Sequence, residues 1–345
     1  MKLGLRILRI VLLFAALGGA WFAWQQYAWT REPFRGFAGD EQFVDIPAGS
    51  GPPAIGRLLA NAGVVHDTMT WRLALAQTDA ATRLKAGEYR FTEAATPEQV
   101  IARLARGDVY LRSITFREGL TIRQMAELYE RTGLGVAADF VEASRQADLI
   151  RDLDPTARDL EGYLFPDTYA LPRRASAADL AAMMVARFER AWTDDLRREA
   201  AQSGLSLREV VTLASIVEKE TGRGDERPLV AAVYRNRLQK RMGLQCDPTV
   251  IYALERRGGF DGNLTRADLA IDSPYNTYKY AGLPPGPIAA PGQASLEAAL
   301  HPAPVASLYF VSRNDGSHAF AATLDEHNRN VQKFQVQYFR GRPGR

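Results

Sequence analysis

The longest apolar stretch stands at the start of the chain. Ile10 to Trp24 is an unbroken run of apolar residues and glycine, and no charge falls between Ile10 and Thr30. At about 1.5 Å of rise per residue, some 20 such residues span a hydrocarbon core about 30 Å thick. The pattern predicts a transmembrane anchor within residues 1–30. Lys2, Arg6 and Arg9 precede the run and the first acidic residue is Glu32. Positive flanks stay in the cytoplasm, so the tip is expected there and the body outside, on a single-pass protein of the inner (plasma) membrane. Trp21, Trp24, Tyr27 and Trp29 gather at the far end, where amphipathic rings suit the interface. A cleaved secretory signal, with Leu17–Ala20 supplying small residues, is the rival; the long Trp-rich run argues against it, and both readings put the body outside the cytoplasm.

Residues 31–42 read as a linker with Pro33, Gly36 and Gly39. Phe43, Val44 and Ile46 predict a strand, Ile55, Leu58 and Leu59 a helix face ending before Gly63, and Gly87–Phe91 a second strand. Thr96-Pro97-Glu98-Gln99 opens a helix with a capping box and a first-turn proline, and Gly107 stops it. Residues 43–110 therefore form a small α+β module. A strand over Tyr110–Phe116 leads through Glu118-Gly119-Leu120-Thr121 into a helix carrying Ile122, Met125, Ala126 and Leu128. Residues 111–345 make a larger mixed α+β domain with a helical lead-in over 111–159. Near its end Leu308–Val311 and Ala319–Ala322 flank Arg313-Asn-Asp-Gly316, a hairpin with turn residues where positive φ is needed, and a last helix carries Val331, Phe334 and Tyr338.

Composition narrows the chemistry. Lys+Arg number 43 against 40 Asp+Glu, so the net charge of +3 gives no reason to expect a nucleic-acid surface. A single Cys rules out an internal disulfide framework and a Cys-rich zinc site. There is no HExxH, GxSxG, SxxK or phosphate-cradling glycine loop, so no metal and no cofactor is expected. His66, His301, His318 and His327 are scattered and read as structural, and Cys246 as a packing residue.

One carboxylate stands out. Ser206 and Glu209 form a capping box, Gly222 is a natural stop, and Leu207, Val210, Val211, Ala214 and Val217 mark a buried stripe between them. Glu218 lies on or beside that stripe, whereas Glu220 points elsewhere. Burial and the negative end of the helix would both raise the Glu218 pKa, as a proton donor to a glycosidic oxygen requires. The same turn also reads as the solvated end of a helix, and pattern alone leaves both readings open.

Ala214-Ser-Ile-Val-Glu-Lys-Glu-Thr221 resembles the catalytic motif of the endolytic murein transglycosylase (YceG-like) family. Glu161–Tyr169, Val233–Leu238, Leu244–Tyr252, Ser273–Tyr278 and Gly282–Ile288 match in order, as do His301-Pro302, Leu308–Val311, His318-x-Phe320 and His327-Asn328. The resemblance implies a single-pass anchor, a LysM-like module and a catalytic domain. It implies cleavage of the β-1,4 bond between N-acetylmuramic acid and N-acetylglucosamine inside peptidoglycan strands, with a 1,6-anhydro product and limited glycan length. The family's catalytic Glu falls on Glu218. Substrate contacts are expected at Gln245, Asp247, Tyr275, Asn276, Tyr278 and Glu161, with Glu161 and Asp167 as carboxylates that could face Glu218. Glycan strands are the implied partner, with glycan-polymerising and division enzymes beside them. One oddity is Cys246, where a small polar residue is expected. Two other readings stay open: a hydrolase using Asp167 or Asp247 as base, and a non-catalytic wall-binding scaffold.

Overall fold

The computed structural model describes residues 2–340, so Met1 and residues 341–345, which the expected first and last segments include, lie outside the described residues. The chain divides into two compact units. The first, Met1–Arg112 with Pro172–Arg174, begins with α1 (Lys2–Trp29). Its Arg6–Trp29 stretch has a mean hydropathy of 1.9 and is long and apolar enough to cross a membrane. The far end of α1 is tied down: the Gln26 amide donates to Asp67 at 3.0 Å and accepts from Thr70 Oγ1 at 3.0 Å, and Trp29 stacks on His66.

β1 (Gln42–Ile46) follows, then α2 (Pro52–Asn61), α3 (Thr68–Ala76), β2 (Gly87–Phe91) and α4 (Pro97–Arg106). β1 and β2 pair antiparallel, with Val44 opposite Tyr89. Val44, Ile46, Ile55, Leu59, Trp71, Tyr89, Val100, Ile101 and Leu104 close one core. Gly56 lets α2 approach α3: a Cβ there would sit 2.4 Å from the Trp71 ring. The capping box at Thr96 and Gln99 forms as the sequence predicts, and Gly107 ends α4 at φ 77°. The short return Pro172–Arg174 joins this unit through Arg173, which grips buried Glu88 at 2.6 and 3.1 Å and lies over Phe43.

The second unit holds β3 (Leu111–Thr115) from Ser113 onward, α5 (Ile122–Arg131), α6 (Ala137–Ala143), β4 (Thr168–Pro172) up to Leu171, α7 (Ala177–Ala191) and α8 (Asp194–Ser203). It continues with α9 (Leu207–Glu220), α10 (Arg227–Gln239), α11 (Asp247–Arg256), α12 (Gln293–Leu300), the hairpin β5 (Tyr309–Ser312) and β6 (His318–Ala321), and α13 (Leu324–Val331). Asn314 and Gly316 supply the positive φ expected of the hairpin turn, at 64° and 85°. The last helix runs on from α13 through a π-helical segment, Gln332–Gln337.

At the centre lies α9, packed by α8, α10, α11 and α12. The sequence predicts an apolar stripe; instead every residue from Val210 to Val217 is buried. Two of these are polar, and Ser215 is satisfied by donating to the Thr212 carbonyl at 2.7 Å and accepting the Ile288 N–H at 3.1 Å. The capping box at Ser206 and Glu209 forms, but Gly222 is not the stop. The helix ends at Glu220 because Thr221 turns extended at φ −140°.

Candidate active site

Glu218 sits on the last turn of α9 with only 6% of its side chain exposed. Three chain segments converge on it. The α9–α10 turn delivers Arg227, whose Nη2 donates to Glu218 Oε1 at 3.1 Å. That turn is held by Glu226, which accepts from the His318 N–H at 2.9 Å and meets its Nδ1 at 2.6 Å. The segment before α12 runs along α9: Arg208 Nη1 donates to the Pro285 carbonyl at 3.2 Å, Ile288 meets Ser215, and the Gly292 N–H reaches Glu218 Oε2 at 3.0 Å. Gly292 is the N-cap of α12, so the carboxylate lies at the positive end of that helix.

The third segment precedes α5. Gly119 and Leu120 pair with Ala290 (Gly119 N to Ala290 O 2.8 Å, Ala290 N to Leu120 O 2.9 Å). This brings Glu118 to Arg227, whose Nη2 lies 3.4 Å from Glu118 Oε2. One guanidinium nitrogen thus serves two carboxyl groups. Burial raises the Glu118 pKa, the Glu218 charge adds to the rise, and Arg227 opposes it. Space is tight at Gly292, where a Cβ would stand 1.8 Å from Glu118 Oε1, whereas one on Gly119 would meet Glu218 Cγ at an ordinary 3.7 Å. Arg227 Nε is buried with no hydrogen-bond partner, a donor left open beside the two acids.

Glu118, Arg227 and Gly292 escape a linear reading, since they stand about 100, 9 and 74 positions from Glu218. The local Glu118-Gly119 pair ahead of the Thr121 cap was the only available signal. Asp167, expected as a carboxylate that could face Glu218, is instead paired with Arg187 at 2.7 Å, and the Thr168 N–H and Arg187 hold its carboxyl below the usual range.

Glu220, on the other side of the same turn, is not the solvent-facing residue the spacing suggests. Its Oε1 accepts from the Tyr234 hydroxyl at 2.5 Å, and the buried Cys246 thiol is a second partner. Burial raises its pKa against the opposing pull of both hydrogen bonds. It opens on a cavity of about 280 Å³ shared with Arg237, Gln245, Asp247, Tyr278, Phe310 and His327. Gln245 is held at φ 51°, a left-handed conformation that costs a non-glycine residue about 1 kcal/mol or more. The Tyr278 hydroxyl donates to Asp247 at 2.5 Å, and His327 Nδ1 is buried without a partner.

The remaining expected residues fall elsewhere. Glu161 and Tyr275 line a second cavity of about 470 Å³. Glu161 accepts from the Ile122 N–H and the Tyr252 hydroxyl, both at 3.1 Å. Burial, helped by the charge of Asp159, pushes its pKa up to about 8. Asn276 is fully buried and staples its own loop, donating to the Leu269 and Ile271 carbonyls at 2.9 and 2.8 Å and accepting the Tyr278 N–H at 3.0 Å. Three of the expected residues therefore meet at the Glu220 cavity, two at the larger one, and neither cavity contains Glu218. Among the described residues no group of three or more His, Cys, Asp or Glu could hold a metal ion.

Comparison with known proteins gives concordant matches. The family model described as the YceG-like family matches residues 44–333. The endolytic murein transglycosylase of Bacillus subtilis (strain 168) is 33% identical over 307 residues, covering 84% of this chain and 84% of that protein. That of Streptococcus pneumoniae (strain D39) is 30% identical over 358 residues, covering 93% of this chain and 63% of that protein. The crystal structure of a YceG-like protein from Listeria monocytogenes superposes with a TM-score of 0.58 at 32% identity, covering 85% of this chain and 99% of that one.

Proposed function

The chain belongs to the YceG-like family, and we propose that it is a membrane-anchored endolytic murein transglycosylase in which Glu218 moves the proton. The observation that carries this reading is a nearly buried carboxyl held between the Arg227 guanidinium and the first N–H of α12. Two fixed donors on a single acid set its orientation to within a hydrogen bond. Relatives named endolytic murein transglycosylase support an enzyme acting on peptidoglycan.

The chemistry needs one acid only. Glu218 protonates the glycosidic oxygen as the bond from C1 of the muramyl sugar breaks. The sugar's own C6 hydroxyl then attacks C1, and Glu218, now a carboxylate, takes its proton. Atoms balance without water, and the product is a 1,6-anhydro end. An intramolecular nucleophile replaces the second carboxylate that ordinary glycosidases use. Taking the hydroxyl proton restores the acid form of Glu218 for the next cut, and Glu118, which shares Arg227 with it, helps to hold the guanidinium in place.

The Glu220 cavity supplies a sugar subsite under this reading. Gln245, Asp247 and Tyr278 offer amide, carboxylate and phenol groups, and Phe310 an apolar face. The module of β1, β2 and α2–α4 is assigned as the LysM-like element, and α1 as the anchor with its tip in the cytoplasm. A hydrolase reading has less support, because Asp167 is committed to Arg187 and Asp247 to Tyr278. The test is product mass from uncrosslinked glycan strands: ends one water lighter than the hydrolytic product are expected. Reducing ends would establish a hydrolase, and no new ends would leave a scaffold.

A further inference from the structure

The 470 Å³ cavity lies outside the Glu218 site and is lined by four arginines, Arg158, Arg208, Arg256 and Arg257, against Asp159 and Glu161. Two of the arginines are spent within the fold. Arg208 is ion-paired to buried Asp154 at 2.9 Å, and Arg257 donates to the Asp272 carbonyl. The other two are available. Arg158 has no hydrogen-bond or ion-pair partner among the described residues. Arg256 makes no ion pair: its hydrogen bonds to the hydroxyls of Tyr252 and Tyr275 are long, 3.4 and 3.5 Å, and its guanidinium lies over their two rings. On the acidic side, Glu161 already accepts the Ile122 N–H and the Tyr252 hydroxyl, both at 3.1 Å. The cavity is therefore lined by four arginines against two carboxyl groups, and two of its guanidinium groups make no ion pair. Its far wall is rigid: Pro285-Gly286-Pro287 is pinned by Arg208, and Pro287 packs against Gly162, where a Cβ would stand 2.5 Å from the ring.

Position narrows the ligand. Arg208, in the cavity wall, and Glu218 are ten positions apart on α9, so about 15 Å separates cavity and acid at 1.5 Å per residue. The segment from Pro285 to Gly292 joins the two along the helix. In peptidoglycan each muramyl sugar carries a short peptide with free carboxylates before crosslinking. Four or five extended residues reach about 15 Å at roughly 3.3 Å each. Guanidinium groups bind carboxylates bidentately, with charge-assisted hydrogen bonds.

We propose that this cavity, through Arg158 and Arg256, binds the free carboxylate of the stem peptide carried by the strand at Glu218. This rests on the transglycosylase reading for the strand's placement, and binding can be tested apart from cleavage. The full chain in detergent, carrying Glu218→Gln, is titrated by fluorescence anisotropy with labelled uncrosslinked strands, either peptide-bearing or stripped by an amidase. Peptide-bearing strands are expected to bind at least tenfold tighter. Adding Arg158→Gln and Arg256→Gln, both exposed positions, abolishes the difference while affinity for stripped strands stays the same. Free stem peptide competes, and peptide amidated at its carboxylates does not. Equal affinity for the two strands, a gap that survives the double substitution, or equal loss on both strands overturns the proposal. Cleavage of the same strands by the chain with Glu218 intact tests the transglycosylase reading independently.

Discussion

The last turn of α9 presents two carboxyl groups two residues apart to opposite surroundings. On one side Glu218 meets a guanidinium, a backbone N–H and a second acid. On the other, Glu220 meets a phenol and a thiol, and burial raises its pKa. The first set fixes the carboxyl group through a charged donor and a backbone N–H. The second fixes it through neutral groups, the Tyr234 hydroxyl and the Cys246 thiol. The difference supports the proposal that the first Glu of Glu218-Lys219-Glu220 works at the reacting bond while the second belongs to a cavity wall.

The sharpest way to break the comparison is to remove the cation from the Glu218 side. Arg227→Gln is expected to lower kcat about 10²-fold, the order seen on removing one fixed donor from a reacting group, and to cost roughly 2–4 kcal/mol in denaturant unfolding. Gly292→Ala tests crowding. Its φ of −80° suits alanine, but the new Cβ displaces Glu118, so about a tenfold loss of kcat is expected with stability changed by less than about 1 kcal/mol. Glu220→Gln probes the neutral side. Because the folded chain keeps this proton above the unfolded carboxyl pKa, Glu220 contributes stability at low pH that is lost as pH rises through its folded pKa. Thermal melts from pH 4 to 8 should therefore fall less steeply for the variant, with kcat within about threefold. Cys246→Ser should do least, costing about 1 kcal/mol or less, since a hydroxyl can keep the contact to Glu220. A larger effect on kcat at Cys246 than at Arg227 would reverse the roles of the two sides.

Much of this was legible wherever local chemistry decides the backbone. The caps at Thr96 and Ser206, the strand Gly87–Phe91 and the turn through Asn314 and Gly316 all follow from residues adjacent in sequence. What escaped depends on tertiary contact. The wholly buried face of α9 needed α8, α10, α11 and α12 around it, and Thr221, not Gly222, ends the helix. Glu220 could be placed only once α10 and the Cys246 loop were known to close over it. Glu118, Arg227 and Gly292 come from three separate segments, and no spacing rule links them. Polar loop residues that looked alike also diverge: Gln245 opens on a cavity, while Asn276 is consumed by its own loop.

If Glu218 carries the proton, its isosteric amide must stop the reaction without unfolding the chain. Uncrosslinked glycan strands incubated with the intact chain and with Glu218→Gln, and read by mass spectrometry of the new ends, give the direct answer. Anhydro ends from the first and a rate at least about 10³-fold lower from the second, with the thermal melt still cooperative, are expected. Cleavage by Glu218→Gln within tenfold of the intact chain would contradict the assignment.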